Sequence, residues 1–109
     1  MKAGLKINLF IILCVGLAIT SFAVENNIEL DEYLYAKRLF DEGYFDLAAE
    51  QLERVLQNHP DFPNADEAHY LLAEAYHKNK MFKEARATYL RLAIVFPESP
   101  LAAESLYRV

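Results

Sequence analysis

Three histidines, His59, His69 and His77, fall within nineteen residues of a 109-residue chain, with the acidic pairs Asp41-Glu42 and Asp66-Glu67 nearby. Imidazole and carboxylate are the usual material of zinc sites and of general acid–base pairs. A zinc site built on a helix needs two ligands on one face, about a turn apart. The separations here, ten and eight residues, do not supply that pair. The acidic pairs fall at the ends of expected helices, where carboxylates are solvated or favourably placed near an N-terminus. The sequence has no glycine-rich phosphate loop and no serine or cysteine nucleophile with a paired base, and beyond residue 23 its one glycine is Gly43. Neither a catalytic centre, nor a metal, nor another cofactor is expected.

A repeat explains the histidines better. A shift of 37 residues aligns Tyr33 with Tyr70 and Tyr107, Ala36 with Ala73, Leu39 with Tyr76, and Phe45 with Phe82. In the same register Ala48 meets Ala85, Leu52 meets Tyr89, Val55 meets Leu92, and Pro60 and Pro63 meet Pro97 and Pro100. His59 then aligns with Phe96, His69 with Leu106 and His77 with Phe40. All three stand where other units carry apolar residues, so packing is their expected role.

Each unit reads as two helices. Residues 30–42 set Leu30, Tyr33, Leu34, Leu39 and Phe40, with Ala36 between, on a broad face, and Gly43 follows as a stop. Residues 45–58 carry Leu47, Ala48, Leu52, Val55 and Leu56 at helical spacing before Pro60 closes the segment. The next helix is expected from about Asn64, where Asn64 and Glu67 have capping-box spacing, to about Lys78. Phe82 to Phe96 forms its partner, ended by Pro97, and Ser99-Pro100 opens a further helix with an N-cap and a first-position proline. The packing set is Ala36, Leu39, Phe45, Ala48, Leu52 and Pro60 in the first unit, and Leu72, Ala73, Tyr76, Phe82, Ala85, Tyr89 and Pro97 in the second. The alanines stand where two helices approach closely; Phe45 and Phe82 are expected to fill the space beside each turn.

That series of residues resembles the tetratricopeptide repeat, whose usual period is about 34 residues. The surplus here falls in the connections DFPNA and ESPLA. With AHYLLAEAY and the proline pairs, these linkers are similar to repeats of bacterial envelope proteins that serve cell division and outer-membrane barrel assembly. The resemblance covers residues 30–109 and implies an all-α solenoid of helical hairpins. Repeat 1 spans about 30–60, repeat 2 about 64–97, and a partial repeat 3 about 100–109. It also implies a scaffold for protein contacts, with a concave groove lined by the first helix of each hairpin. The groove candidates are then Tyr33, Lys37 and Phe40, followed by Tyr70, Glu74 and His77, and Tyr107. A tyrosine at one place in every unit fits a ladder of interface side chains, and equally fits packing between neighbouring first helices with the hydroxyl in water. The Lys and Asn clamp with which chaperone-binding members grip a peptide carboxylate is missing, since those positions hold Tyr33 with Lys37 and Tyr70 with Glu74.

Residues 1–23 differ in kind from the repeats. They contain Lys2 and Lys6, no acid, an apolar run from Ile7 to Thr20 and a small-residue exit at Ser21-Phe22-Ala23. This is the pattern of a secretory signal cleaved after Ala23; left uncleaved, residues 7–20 would serve as an anchor, though the run is short of the roughly 20 residues a spanning helix needs. Cys14 follows Leu13 in mid-run, unlike a lipid-accepting cysteine, and it is the only cysteine. Residues 24–29 read as a linker. Without residues 1–23 the chain keeps 9 basic and 16 acidic residues, net −7, a balance that opposes nucleic-acid binding.

The expected protein is an exported, non-catalytic scaffold, periplasmic or secreted, that holds a protein or peptide partner of the cell envelope and no small-molecule substrate. The alternatives are a leading accessory domain of a larger cell-wall or polysaccharide enzyme or export system, and a self-associating module. Arrays of this kind need about three or more units. Residues 100–109 are therefore expected to continue beyond Val109 or to complete their unit on a second copy.

Overall fold

Gly43 and Lys80 are the two described residues with positive φ, +87° and +62°, and they mark equivalent turns of a repeat. In the computed structural model, which describes residues 28–109, residues 28–41 are helical (α1). The expected signal segment and most of the expected linker lie outside the described residues. After α1, Gly43 N–H donates to the Phe40 carbonyl at 3.0 Å and Tyr44 N–H to the Leu39 carbonyl at 2.9 Å. This crossed pair is the Schellman arrangement, which needs a left-handed residue at the position Gly43 fills. Helix α2, Phe45–Asn58, follows.

The second hairpin repeats the first bond for bond. Helix α3, Ala65–Lys78, ends where Lys80 N–H donates to the His77 carbonyl at 3.0 Å and Met81 N–H to the Tyr76 carbonyl at 2.8 Å. Helix α4 is Phe82–Val95. The C-cap amides of α2 and α4 also match: His59 N–H reaches the Val55 carbonyl and Phe96 N–H the Leu92 carbonyl, both at 2.8 Å. Helix α5, Pro100–Arg108, begins with the Ser99 hydroxyl oxygen accepting from Leu101 N–H at 3.2 Å, and Pro100 stands in its first turn.

Lys80 occupies a conformation that costs an L-residue about 1–2 kcal/mol, where its counterpart is glycine. Lys80→Gly should therefore raise stability by about 1 kcal/mol once glycine's greater unfolded-state entropy is counted. A urea midpoint that fails to rise would refute this account of the turn.

Asp31–Val109 form one compact unit. Its main core joins the first hairpin to α3: Tyr33 and Ala36 of α1, Ala49, Leu52 and Val55 of α2, and Ala65, Ala68, Leu72 and Ala75 of α3. A smaller cluster of Ala73, Ala85 and Tyr89 holds α3 to α4. Ala36, Ala48 and Ala73 are fully buried and Ala85 nearly so, which permits the close helix approach. Helix α5 packs on α4 and touches α3. Tyr33, near the start of α1, reaches Glu67, near the start of α3, so these helices run in the same direction and their following turns leave at one edge.

Four expectations need correction. Phe82 is 57 % exposed and fills no interior space; it stands edge-on to His77, as the half-buried Phe45 stands edge-on to Phe40. Pro60 and Pro97 are exposed, so they act through the backbone and not as packing residues. The residue that fills the junction is Phe62, 6 % exposed against Tyr33 with ring centroids 5.7 Å apart. Asn64 caps no amide: its backbone is turn-like, and its side-chain nitrogen donates instead to Glu67 at 3.4 Å.

Candidate functional site

The first helices of successive units, α1, α3 and α5, line a cavity of about 490 Å³. Tyr33 and Lys37 come from α1, Asp66, Glu67, Tyr70 and Leu71 from α3, and Pro100 and Leu101 from α5. The walls therefore join apolar ring and aliphatic surface to charges of both signs, a composition suited to side chains of a protein partner.

The polar groups of this surface are tied down by the fold. The Tyr33 hydroxyl donates to Glu67 Oε2 at 3.2 Å, and the Lys37 ammonium lies 5.9 Å from the Tyr33 ring centroid. Burial first, and then the Glu67 carboxylate, raise the Tyr33 pKa above its ordinary range. Further along, the Tyr89 hydroxyl donates to Glu74, which also pairs with Arg108 of α5 at 3.5 Å. Arg108 in turn holds Glu104 at 3.3 Å. Tyr89 is likewise pushed up by burial and then by its bond to Glu74, and Tyr70 by burial and then by the Glu74 charge. All three phenols remain neutral at physiological pH.

Of the groove candidates, the structure brings Tyr33, Lys37 and Tyr70 to one cavity. Tyr33 is only 4 % exposed, Tyr70 is half-buried with its ring 5.8 Å from Tyr89, and Tyr107 is 86 % exposed. The three tyrosines thus do not form a ladder of equal contact faces. Glu74 serves as the junction of α3, α4 and α5, while Phe40 and His77 sit at the turn end against Phe45 and Phe82. Leu71, Leu101 and Arg108 were not singled out by sequence, and Glu67 was read only as an acidic-pair and capping residue; the repeat register alone shows Leu71 to be the counterpart of Leu34.

A profile of the tetratricopeptide repeat matches residues 33–106, well over half of the chain. The chain belongs to the tetratricopeptide repeat family. No curated protein and no solved structure matches it. The tetratricopeptide hairpins here are α1 with α2 and α3 with α4, and α5 takes the place of a first helix. Repeats of this family serve protein–protein interaction, and the all-helical architecture is that of its solenoids.

The histidines take separate places in this tetratricopeptide array. Among the described residues no group of three or more His, Cys, Asp or Glu is placed to hold a metal ion. His59 Nε2 lies 3.5 Å from Glu32, which links the α2–α3 connection to α1. His69 lines the opposite face, in a cavity of about 460 Å³ between α2 and α4 that also holds Glu53, Glu84 and Arg91. Its ring lies 5.6 Å from Phe96, and its buried Nδ1 has no hydrogen-bond partner.

Burial, and then Arg91, lower the His69 pKa below its ordinary value, with Asp66 acting the other way. The folded state therefore binds this proton less readily than the unfolded chain, so stability attributable to His69 is lost as pH falls below about 6.5. Chemical melts from pH 7 downward should show wild type losing more stability than His69→Leu, which places here the residue that Leu106 supplies in the next unit. Parallel curves would refute the assignment.

Proposed function

We propose that this protein is a non-catalytic scaffold that holds a protein or peptide partner in the concave surface of α1, α3 and α5. The observation that carries this reading is the cavity shared by Tyr33, Lys37, Tyr70 and Leu101, three successive first helices contributing to one surface. The apolar walls would take a partner's aliphatic or aromatic side chain, while Lys37 and the carboxylates of Asp66 and Glu67 would fix its orientation. No clamp for a terminal carboxylate is present, so an internal segment of the partner is the expected ligand.

The setting belongs to the same proposal. The pattern of residues 1–23 and the long repeat linkers support an exported protein of the bacterial cell envelope, cleaved after Ala23, resembling in its repeats the Tol-Pal-associated cell-division coordinator and the lipoprotein of barrel assembly. Its intact mass, recovered from the cell envelope, should correspond to a chain beginning at Val24.

A photo-crosslinking residue placed at Lys37, in the full chain expressed in its own cells, tests the groove. One discrete protein adduct is expected there, absent when the same residue is placed at Arg86 on the exposed side of α4 and lost on Tyr70→Ala. Equal adducts at both positions would sink the groove reading.

A further inference from the structure

The turns within the two hairpins share one backbone and carry opposite charge. Asp41 of the first is replaced by Lys78 in the second, Gly43 by Lys80 and Asp46 by Lys83, while Glu42 becomes Asn79. The first turn thus presents three carboxylates, Asp41, Glu42 and Asp46, and the second three ammonium groups, Lys78, Lys80 and Lys83, all exposed. None of these six side chains makes an ion pair among the described residues. Between the charges each turn exposes apolar surface, Tyr44 at 53 % in one and Met81 at 38 % with Phe82 at 57 % in the other. Because the conformations match, the inversion is confined to side chains and leaves two patches of like shape and opposite sign on one edge.

We propose that this edge is a self-complementary interface joining two copies of the chain, the acidic turn of each facing the basic turn of the other. A two-fold axis running between the turns exchanges their positions, so both charge contacts form at once, as an isologous interface requires. Tyr44 of one copy then meets Met81 and Phe82 of its partner, giving the exposed apolar surface a place out of water. Lys80 supports the assignment independently. A lysine is held there in a conformation its counterpart reaches with a strain-free glycine, and such strain concentrates at functional positions. An anionic lipid surface is the less favoured occupant, since the acidic turn on the same edge would be repelled as the basic one approached. The pairing is independent of the groove, which opens on the first helices and not on the turns.

An interface of two turns per copy is small, so the dimer is expected to be weak and to dissociate as salt screens its charges. Sedimentation equilibrium of the full chain at high protein concentration should show a dimer at low ionic strength and a monomer at high. Lys78→Asp with Lys83→Asp makes both turns net acidic, with Lys80 the one cation left among the six charged positions, and Asp41→Lys with Asp46→Lys makes both net basic, with Glu42 the one anion left. Each double variant alone should be monomeric, and their equimolar mixture should dimerise. A wild type that stays monomeric at low ionic strength overturns the proposal. So do variants that dimerise as the wild type does, or two monomeric variants whose mixture does not pair. Binding of the monomer to phosphatidylglycerol vesicles through Lys78 and Lys83, without dimerisation, also overturns it and assigns the basic turn to an anionic surface.

Discussion

Leu52→Ala should cost about 2–5 kcal/mol in stability. Leu52 is fully buried at the centre of the main cluster, where α1, α2 and α3 meet. Trimming its isobutyl side chain to a methyl forfeits transfer free energy and leaves a void among alanines, which have no longer side chain to swing into it. Small domains are stable by roughly 5–15 kcal/mol, so this one change should remove a large part of the whole. Leu106→Ala provides the contrast: Leu106 is 57 % exposed, and its truncation should stay within about 0.5 kcal/mol. Urea denaturation of both variants checks the pair. Similar losses at the two positions would mean that the core is not where α1, α2 and α3 meet.

The opposite change at the helix crossings should also be costly. Ala48 is fully buried and Ala85 is 2 % exposed, each at the same place in its hairpin. A leucine at either position adds three carbons where facing backbones leave no space, and overpacking of this kind costs about 1–3 kcal/mol. Ala85→Leu should in addition disturb Tyr89, its neighbour in the smaller cluster, and so the bond from Tyr89 to Glu74 and the anchoring of α5 through Arg108. Ala103→Leu, on the exposed side of α5, should melt as wild type does. Ala48→Leu and Ala85→Leu variants with unchanged melting would remove the close-approach account of both hairpins.

Both effects rest on features that local sequence expresses well. The bounds Phe45–Asn58 for the second helix, and Ala65–Lys78 and Phe82–Val95 for the next two, follow from apolar spacing and from Gly43, Pro60 and Pro97. Helix initiation and termination depend on a few neighbouring residues. The 37-residue register carries the same information twice and so identifies the alanines of the crossings. It also marks the histidines as occupants of apolar places, although His59 and His69 then find a carboxylate and a ring that the register does not reveal.

What the amino-acid sequence determined by itself is therefore the hairpin pattern, the family resemblance and a part of the first-helix face, Tyr33, Lys37 and Tyr70. Tertiary structure alone decided what each of those residues does. Tyr33, Tyr70 and Tyr107 are equivalent in register, yet the first is covered by Phe62 and bonded to Glu67, the second half-covered beside Tyr89, and the third covered by no described element. Phe45 and Phe82 are equivalent too, and only Phe45 is drawn partly inside. Secondary structure is settled by bonds that close within about five residues, whereas burial and partnership depend on which element is laid across a side chain from far along the chain, as Tyr89 is on Tyr70 and Glu67 on Tyr33. A repeat copies the first from unit to unit and leaves the second to be set by each unit's neighbours.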